Sequence, residues 1–142
     1  MPDGDFAIPF GKADVKRQGK DATIVATSLT VSVALNAAEQ LAQDGIDAEV
    51  IDPRTVVPLD IDTICSSVKK TGRMVVVDEA TRTCSVASEI AASVAEQAFD
   101  ALKAPIIRVT RPDAPVAYAP PLEDYVTPTA DKIAAAVKKV MQ

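Results

Sequence analysis

Histidine is absent from this 142-residue chain. That removes the usual general base near neutral pH, the usual zinc ligand and any Ser-His-Asp or Cys-His arrangement. Aromatic residues make up only 4% of the chain, so the core has to be built from Val, Ile, Leu and Ala. No apolar run is long enough to span a bilayer, and Met1–Lys20 carries no signal-peptide pattern. The two cysteines, Cys65 and Cys84, form neither a CxxC motif nor a disulfide framework. Reduced thiols and a cytoplasmic address follow as the simplest expectation. A basic surplus is missing too: 15 Lys and Arg stand against 20 Asp and Glu, a net charge of −5. Nucleic-acid binding, which depends on displacing counterions with basic groups, is opposed. A soluble protein, or one that docks on a basic partner, fits the charge.

What is present is an ordinary globular balance of 48% apolar and 25% charged residues. The length suits a single domain over 1–142, with residues 1–8 irregular and about two-thirds of the unfolded surface buried. The stretch Ala48–Asp60 organises the pattern. Its short apolar run Val50-Ile51 is stopped by Asp52-Pro53, because proline has no N–H and forces its predecessor towards extended geometry. Pro58 closes the loop, and Asp60 or Asp62 can cap the next helix. Asp52 and Arg54 emerge together as a charge-assisted pair, read as a loop brace in preference to a ligand clamp.

In order, Met1–Asp5 reads as frayed and Phe6–Phe10 as an apolar segment lying on another surface. Gly11–Val15 suggests a short strand and Gln18–Asp21 a turn. Strands are predicted at Ala22–Thr27, Asp47–Asp52, Arg73–Asp78 and Pro105–Thr110; the first lacks alternation, as a strand covered on both faces should. Between them, apolar residues at three- and four-residue spacing define helices. Val31, Ala34, Leu35, Ala38, Leu41 and Ala42 form one, with Ser28 or Thr30 as N-cap and Gly45 as a left-handed stop. Ile61, Ile64, Cys65 and Val68 form another, ending near Gly72. Ala87, Ile90, Ala91, Val94, Ala95 and Ala98 form a third behind a Ser85 cap. Glu79–Cys84 reads as a loop. Arg111–Pro128 is proline-rich and expected to run extended over the surface. Pro128 suits a first helical position before the amphipathic segment Ile133–Met141. Alternating strands and helices predict an α/β fold with a parallel, doubly wound sheet.

Few groups suggest chemistry. The turn Thr27–Ser32 has no glycine, and no GxGxxG or Walker pattern occurs, which opposes dinucleotide binding. Ser28 and Thr30 read as capping residues rather than an anion site. Cys84, just before a helix, would have its thiol activated by the helix dipole; a small loop residue is the simpler reading. Cys65 belongs to an apolar stripe. Asp78 and Glu79 end a strand where open sheets bind ligands, but two adjacent acids without further ligands make a poor metal site. Ala119–Tyr125, apolar and acidic together, suits either a partner surface or a covering loop.

Five ordered segments carry a family resemblance: IPFGKADVKRQGKDATIVAT, AEVIDPRTVVPLD, KKTGRMVVVDEA, SEIAASVAEQAFDALKAPIIRVT and PLEDYVTPTADKIAAAVKKVM. Together they resemble the C-terminal transketolase-type domain of the β subunit of thiamine-diphosphate-dependent 2-oxo-acid dehydrogenases, in their decarboxylase component. Arg82–Ala87 departs from the glycine-rich form common in pyruvate and branched-chain enzymes and is closer to acetoin dehydrogenase β subunits. The resemblance implies a three-layer α/β/α fold with a mostly parallel five-stranded sheet, one edge strand near Lys12–Val15 running antiparallel.

It further implies an α2β2 parent oxidoreductase. There thiamine diphosphate and magnesium lie between the α subunit and a preceding pyrimidine-binding domain of β. No catalytic, cofactor-binding or metal-ligating residue is therefore carried over. The implied partners are the α subunit, a second β subunit (a homodimer in isolation) and the small, basic peripheral domain of a dihydrolipoyl acyltransferase. Asp100, Glu123, Asp124 and the carboxylate at Gln142 are the acidic candidates for that last contact. Two alternatives stand beside this reading: a small-molecule-binding module using Thr27, Ser28, Asp78 and Glu79, and a self-sufficient enzyme using Cys84.

Overall fold

The computed structural model describes residues 7–142, so the expectation for Met1–Asp5 lies outside the described residues. Five strands form one sheet: β1 (Asp14–Arg17), β2 (Ala22–Ala26), β3 (Ala48–Asp52), β4 (Met74–Thr81) and β5 (Ile107–Arg111). Their spatial order is β1-β3-β2-β4-β5. β3, β2, β4 and β5 are mutually parallel, while β1 pairs antiparallel with β3 through a bulge between Val15 and Arg17. The antiparallel edge strand is thus present, shifted two residues from the predicted Lys12–Val15.

Side-chain alternation divides the sheet into two cores. Ala22, Ile24 and Ala26 of β2 face one way, joined by Val50, Val75 and Val77, and meet α1 (Thr30–Gln43) and α5 (Ala130–Val140). Val25, Ile51, Met74 and Val76 face the other way, onto α2 (Ile61–Thr71) and α3 (Val86–Ala98). That gives helix, sheet, helix. The strands read as unbroken apolar runs because both faces are covered, and each fully buried Val or Ile contributes about 1.5–3 kcal/mol relative to exposure. Among the described residues, no helix is long and apolar enough to cross a membrane.

Helix termini follow local chemistry, with exceptions. Asp60 caps α2, accepting from the Thr63 N–H at 3.3 Å, and Gly72 (φ 75°) ends it. Ser85 caps α3 by accepting from the Ser88 N–H. Neither Ser28 nor Thr30 caps α1: Leu29 holds that position with no side-chain bond. The Thr30 hydroxyl instead accepts from the Thr27 N–H (3.1 Å) and donates to the Thr27 carbonyl (2.6 Å), pinning the helix to the end of β2. The turn Gln18–Asp21 brings Gly19 against β3. A Cβ there would lie 2.3 Å from the Ala48 carbonyl carbon, so only glycine fits.

Two predicted loops are ordered differently. β4 continues past Asp78 to Thr81, which pairs with Arg111 after a register shift. The proline-rich stretch contains a seven-residue helix, α4 (Pro120–Val126), because prolines at its first positions need no N–H partner there. Thr129 caps α5, so Pro128 sits one residue before the cap rather than in the first turn.

Candidate functional site

The carboxyl ends of β2, β3, β4 and β5 gather most of the residues singled out from the sequence. Asp78 is 5% exposed, and its carboxylate is fully engaged. It accepts from the Thr27 hydroxyl (3.3 Å), the Ala80 N–H (3.1 Å) and the Ala87 N–H (3.4 Å). It therefore ties β2, β4 and the start of α3 together and presents no spare oxygen for a ligand. Ser28 adopts a left-handed conformation (φ 51°), as does exposed Cys84 (φ 57°). Cys65 is buried in the core between α2 and the sheet, and that burial pushes its thiol up.

Asp52 and Arg54 meet within the loop through the backbone, not by the expected side-chain ion pair. Arg54, at φ 58°, donates its backbone N–H to Asp52 Oδ1 at 2.9 Å. Its guanidinium turns instead to Asp14, at 2.7 Å, tying the edge strand β1 to the loop. Lys16, 2.6 Å from Asp14, and then Arg54 hold that carboxyl below the usual aspartate range. Asp52 and Arg54, two residues apart, thus send their charges to different partners, Lys16 at 3.9 Å and Asp14 at 2.7 Å. The Val57–Pro58 peptide in the same loop is cis.

Asp60 performs two tasks. Besides capping α2, it accepts from the Ala13 N–H at 3.0 Å, joining the segment before β1 to the helix. Burial works to raise its carboxyl, but the hydrogen bonds from Ala13 and Thr63 prevail and hold it below the ordinary value.

The four acidic docking candidates are all exposed, yet they fall at opposite ends of the sheet. Asp100 lies in a 3-10 turn (Phe99–Ala101) ahead of β5, where the Lys103 N–H meets the Gly72 carbonyl. Gln142 follows α5 at the same amino end, where Arg73 Nε donates to the Val140 carbonyl at 2.9 Å. Glu123 and Asp124 are on α4, at the carboxyl end, with Glu123 3.8 Å from Arg111. The acids form two pairs, not one patch.

Sequence reasoning missed what dominates the carboxyl end. Ten large apolar residues remain exposed among the described residues, and all but Phe99 lie there. Leu29 follows β2, and Val56 and Val57 follow β3. Val116, Tyr118, Leu122 and Tyr125 follow β5; Tyr118 is 97% exposed. Ile8 and Phe10 join them, because the Gly11 N–H donates to Thr55 Oγ1 at 3.0 Å. The signal was present as apolar residues scattered through proline-broken loops, but only the parallel topology reveals that those loops share an edge. Among the described residues no group of three or more Cys, Asp or Glu could hold a metal.

Comparison with known proteins agrees with this architecture. Residues 11–133 match the family model of the transketolase C-terminal domain. The chain is 53% identical over 142 residues to the β subunit of acetoin:2,6-dichlorophenolindophenol oxidoreductase from Cupriavidus necator, covering all of this chain and 42% of that protein. It is 46% identical over 136 residues to the pyruvate dehydrogenase E1 component β subunit of Rhizobium meliloti, covering 96% of this chain and 30% of that one. A solved split-gene transketolase, described as an inactive β4 tetramer, superimposes with a TM-score of 0.79 at 29% identity, over 96% of this chain and 43% of its own. The chain thus spans less than half the length of each of these proteins. With the five-stranded mixed sheet, its antiparallel edge and a family match over most of its length, the chain belongs to the transketolase C-terminal domain family.

Proposed function

We propose that this chain is the subunit-assembly and partner-docking part of the β subunit of a thiamine-diphosphate-dependent 2-oxo-acid or acetoin dehydrogenase, inactive alone, and that residues 1–142 act as one domain. The carrying observation is the apolar carboxyl edge. In an independent α/β enzyme, polar ligand groups converge at that end of the sheet. Here Thr27 and Asp78 bond to each other, and nine large apolar side chains face outward. Apolar surface of this concentration marks a contact between proteins. Three of those side chains, Leu122 and the tyrosines 118 and 125, belong to one segment and are the expected anchors.

The names of similar proteins support the reading: relatives are β subunits, and the split transketolase is described as an inactive β4 assembly. The α subunit and a second β subunit are the partners assigned to the apolar edge. A basic peripheral domain of an acyltransferase is assigned to one of the two candidate pairs, Asp100 with Gln142 or Glu123 with Asp124. Thiamine diphosphate and magnesium would be held by other parts of the enzyme.

Sedimentation velocity of the chain, alone and mixed with the α subunit, tests this directly. Association is expected, and Leu122→Asp with Tyr125→Asp should abolish it without lowering the melting temperature. Reversing Asp100 alone, and separately Glu123 with Asp124, should weaken docking of the acyltransferase domain, and its salt dependence, in one case only. A chain that stays monomeric with every partner, or that turns over a 2-oxo acid unaided, would sink the proposal.

A further inference from the structure

Three cations from three separate elements line one cavity of about 470 Å³ beside the end of β5. Arg82 comes from just beyond β4, Arg111 is the last residue of β5, and Lys132 lies in the first turn of α5. No Asp or Glu is among the lining residues. Glu123 stands 3.8 Å from Arg111 and Asp131 shares the first turn of α5 with Lys132, but neither lines the cavity, and three like charges gathered around one cavity concentrate the field.

Their hydrogen-bonding capacity is also unfilled. Among the described residues, Arg111 Nε is the only buried side-chain nitrogen or oxygen with no partner. A terminal nitrogen of the same guanidinium reaches Thr127 Oγ1 only at 3.4 Å, and Glu123, half exposed, stays 3.8 Å away. The Arg82 guanidinium makes no hydrogen bond or ion pair among the described residues. Asp113 feels its charge but is turned to Thr83, whose N–H and hydroxyl it accepts at 2.9 and 2.6 Å. Lys132 Nζ is steered by two carbonyls, those of Tyr125 and Thr127, and an ammonium with three donors keeps one to spare. The amino end of α5 adds a positive dipole on the same side. Tyr125, Val126 and Pro112 supply apolar wall, and the volume lies in the range of small-molecule sites.

We propose that this cavity binds a small organic polyanion, a phosphate- or polycarboxylate-bearing molecule, with Arg82, Arg111 and Lys132 as its anchors. The site is distinct from the Thr27–Asp78 cluster but shares Tyr125 with the proposed docking surface, so it is tested on the chain free of partners. Arg111 also borders a neighbouring cavity of about 220 Å³ that contains Glu79, so the anion is expected on the side where the three cations meet.

Isothermal titration of the chain at low ionic strength with inorganic pyrophosphate, and separately with citrate, tests the site without any partner present. Saturable one-to-one binding is expected. Arg82→Gln and Lys132→Gln, both on exposed or partly exposed side chains, should each weaken it about tenfold, the loss of one charge-assisted contact. Circular dichroism of each variant checks that the fold is intact. Binding of pyrophosphate alone identifies a phosphate ligand, and binding of citrate alone a polycarboxylate. Absence of saturable binding by either probe, or binding unmoved by both substitutions, overturns the proposal, including the case where only an acidic side chain of a partner protein fills the cavity.

Discussion

Replacing Lys70 with methionine asks what a charge inside the sheet requires of its neighbours. Glu49 stands in β3 with its side chain only 3% exposed. Its carboxylate has two partners, the Lys70 ammonium and the Gly19 N–H at 3.3 Å. Methionine keeps the apolar stem of lysine and removes the charge. Breaking a fully buried ion pair on one side costs about 3–5 kcal/mol, because the other charge is left without compensation. Lys70 is 42% exposed, so water replaces part of what the ammonium supplied. The expected loss falls to about 1–3 kcal/mol, the range for an unsatisfied buried group. At 142 residues, about 2 kcal/mol corresponds to a fall of roughly 6–8 °C in melting temperature. Urea unfolding of the wild type, Lys70→Met, Glu49→Gln and the double variant closes a thermodynamic cycle. The double variant should recover much of the single loss, since no ionised group is then stranded. If Lys70→Met unfolds within about 0.5 kcal/mol of the wild type, or the double variant equals the sum of the singles, the reasoning is refuted.

Two further outcomes are expected. Asp60→Ala removes the α2 cap and the bond to Ala13, costing about 2–3 kcal/mol at neutral pH. Because the folded carboxyl lies below its unfolded value, that contribution is present above the ordinary aspartate range and is lost as pH falls through the folded value; urea midpoints of wild type and variant should converge on acidification below about pH 4. An aromatic disulfide reagent should label exposed Cys84 in the native chain and reach Cys65 only in urea, because Cys65 is buried and its thiol is pushed up; two fast thiols would contradict the core described here.

The layer order and the strands were legible because burial on both faces leaves a plain mark, the runs Ala22–Ala26 and Met74–Val77. The Asp60 and Ser85 caps and the Gly72 stop were legible for local reasons, each residue acting on its own helix. Readings failed where the deciding contact was distant. Thr30 bonds back to Thr27 and the strand end rather than capping its helix, and the Arg54 guanidinium leaves its neighbour Asp52 for Asp14. The α4 helix hid behind proline density, because proline forbids a helix interior but not its first turn. The acidic candidates were chosen by sign and exposure, quantities that carry no information on which end of the sheet a residue occupies. The three-cation cavity was hidden for the same reason, since positions 82, 111 and 132 meet only once β4, β5 and α5 are packed.

Both rims of the sheet are poor templates for another strand. β1 is four residues long, carries Asp14, Lys16 and Arg17, and is kinked by its bulge. β5 places Arg108 and Arg111 within five residues, and Arg108 folds back to Ser88 at 2.5 Å. Short, charged, bent borders resist ladder extension. Any contact proposed for this polypeptide is therefore expected through helices and loop tips rather than by widening the five-stranded hydrogen-bonded ribbon.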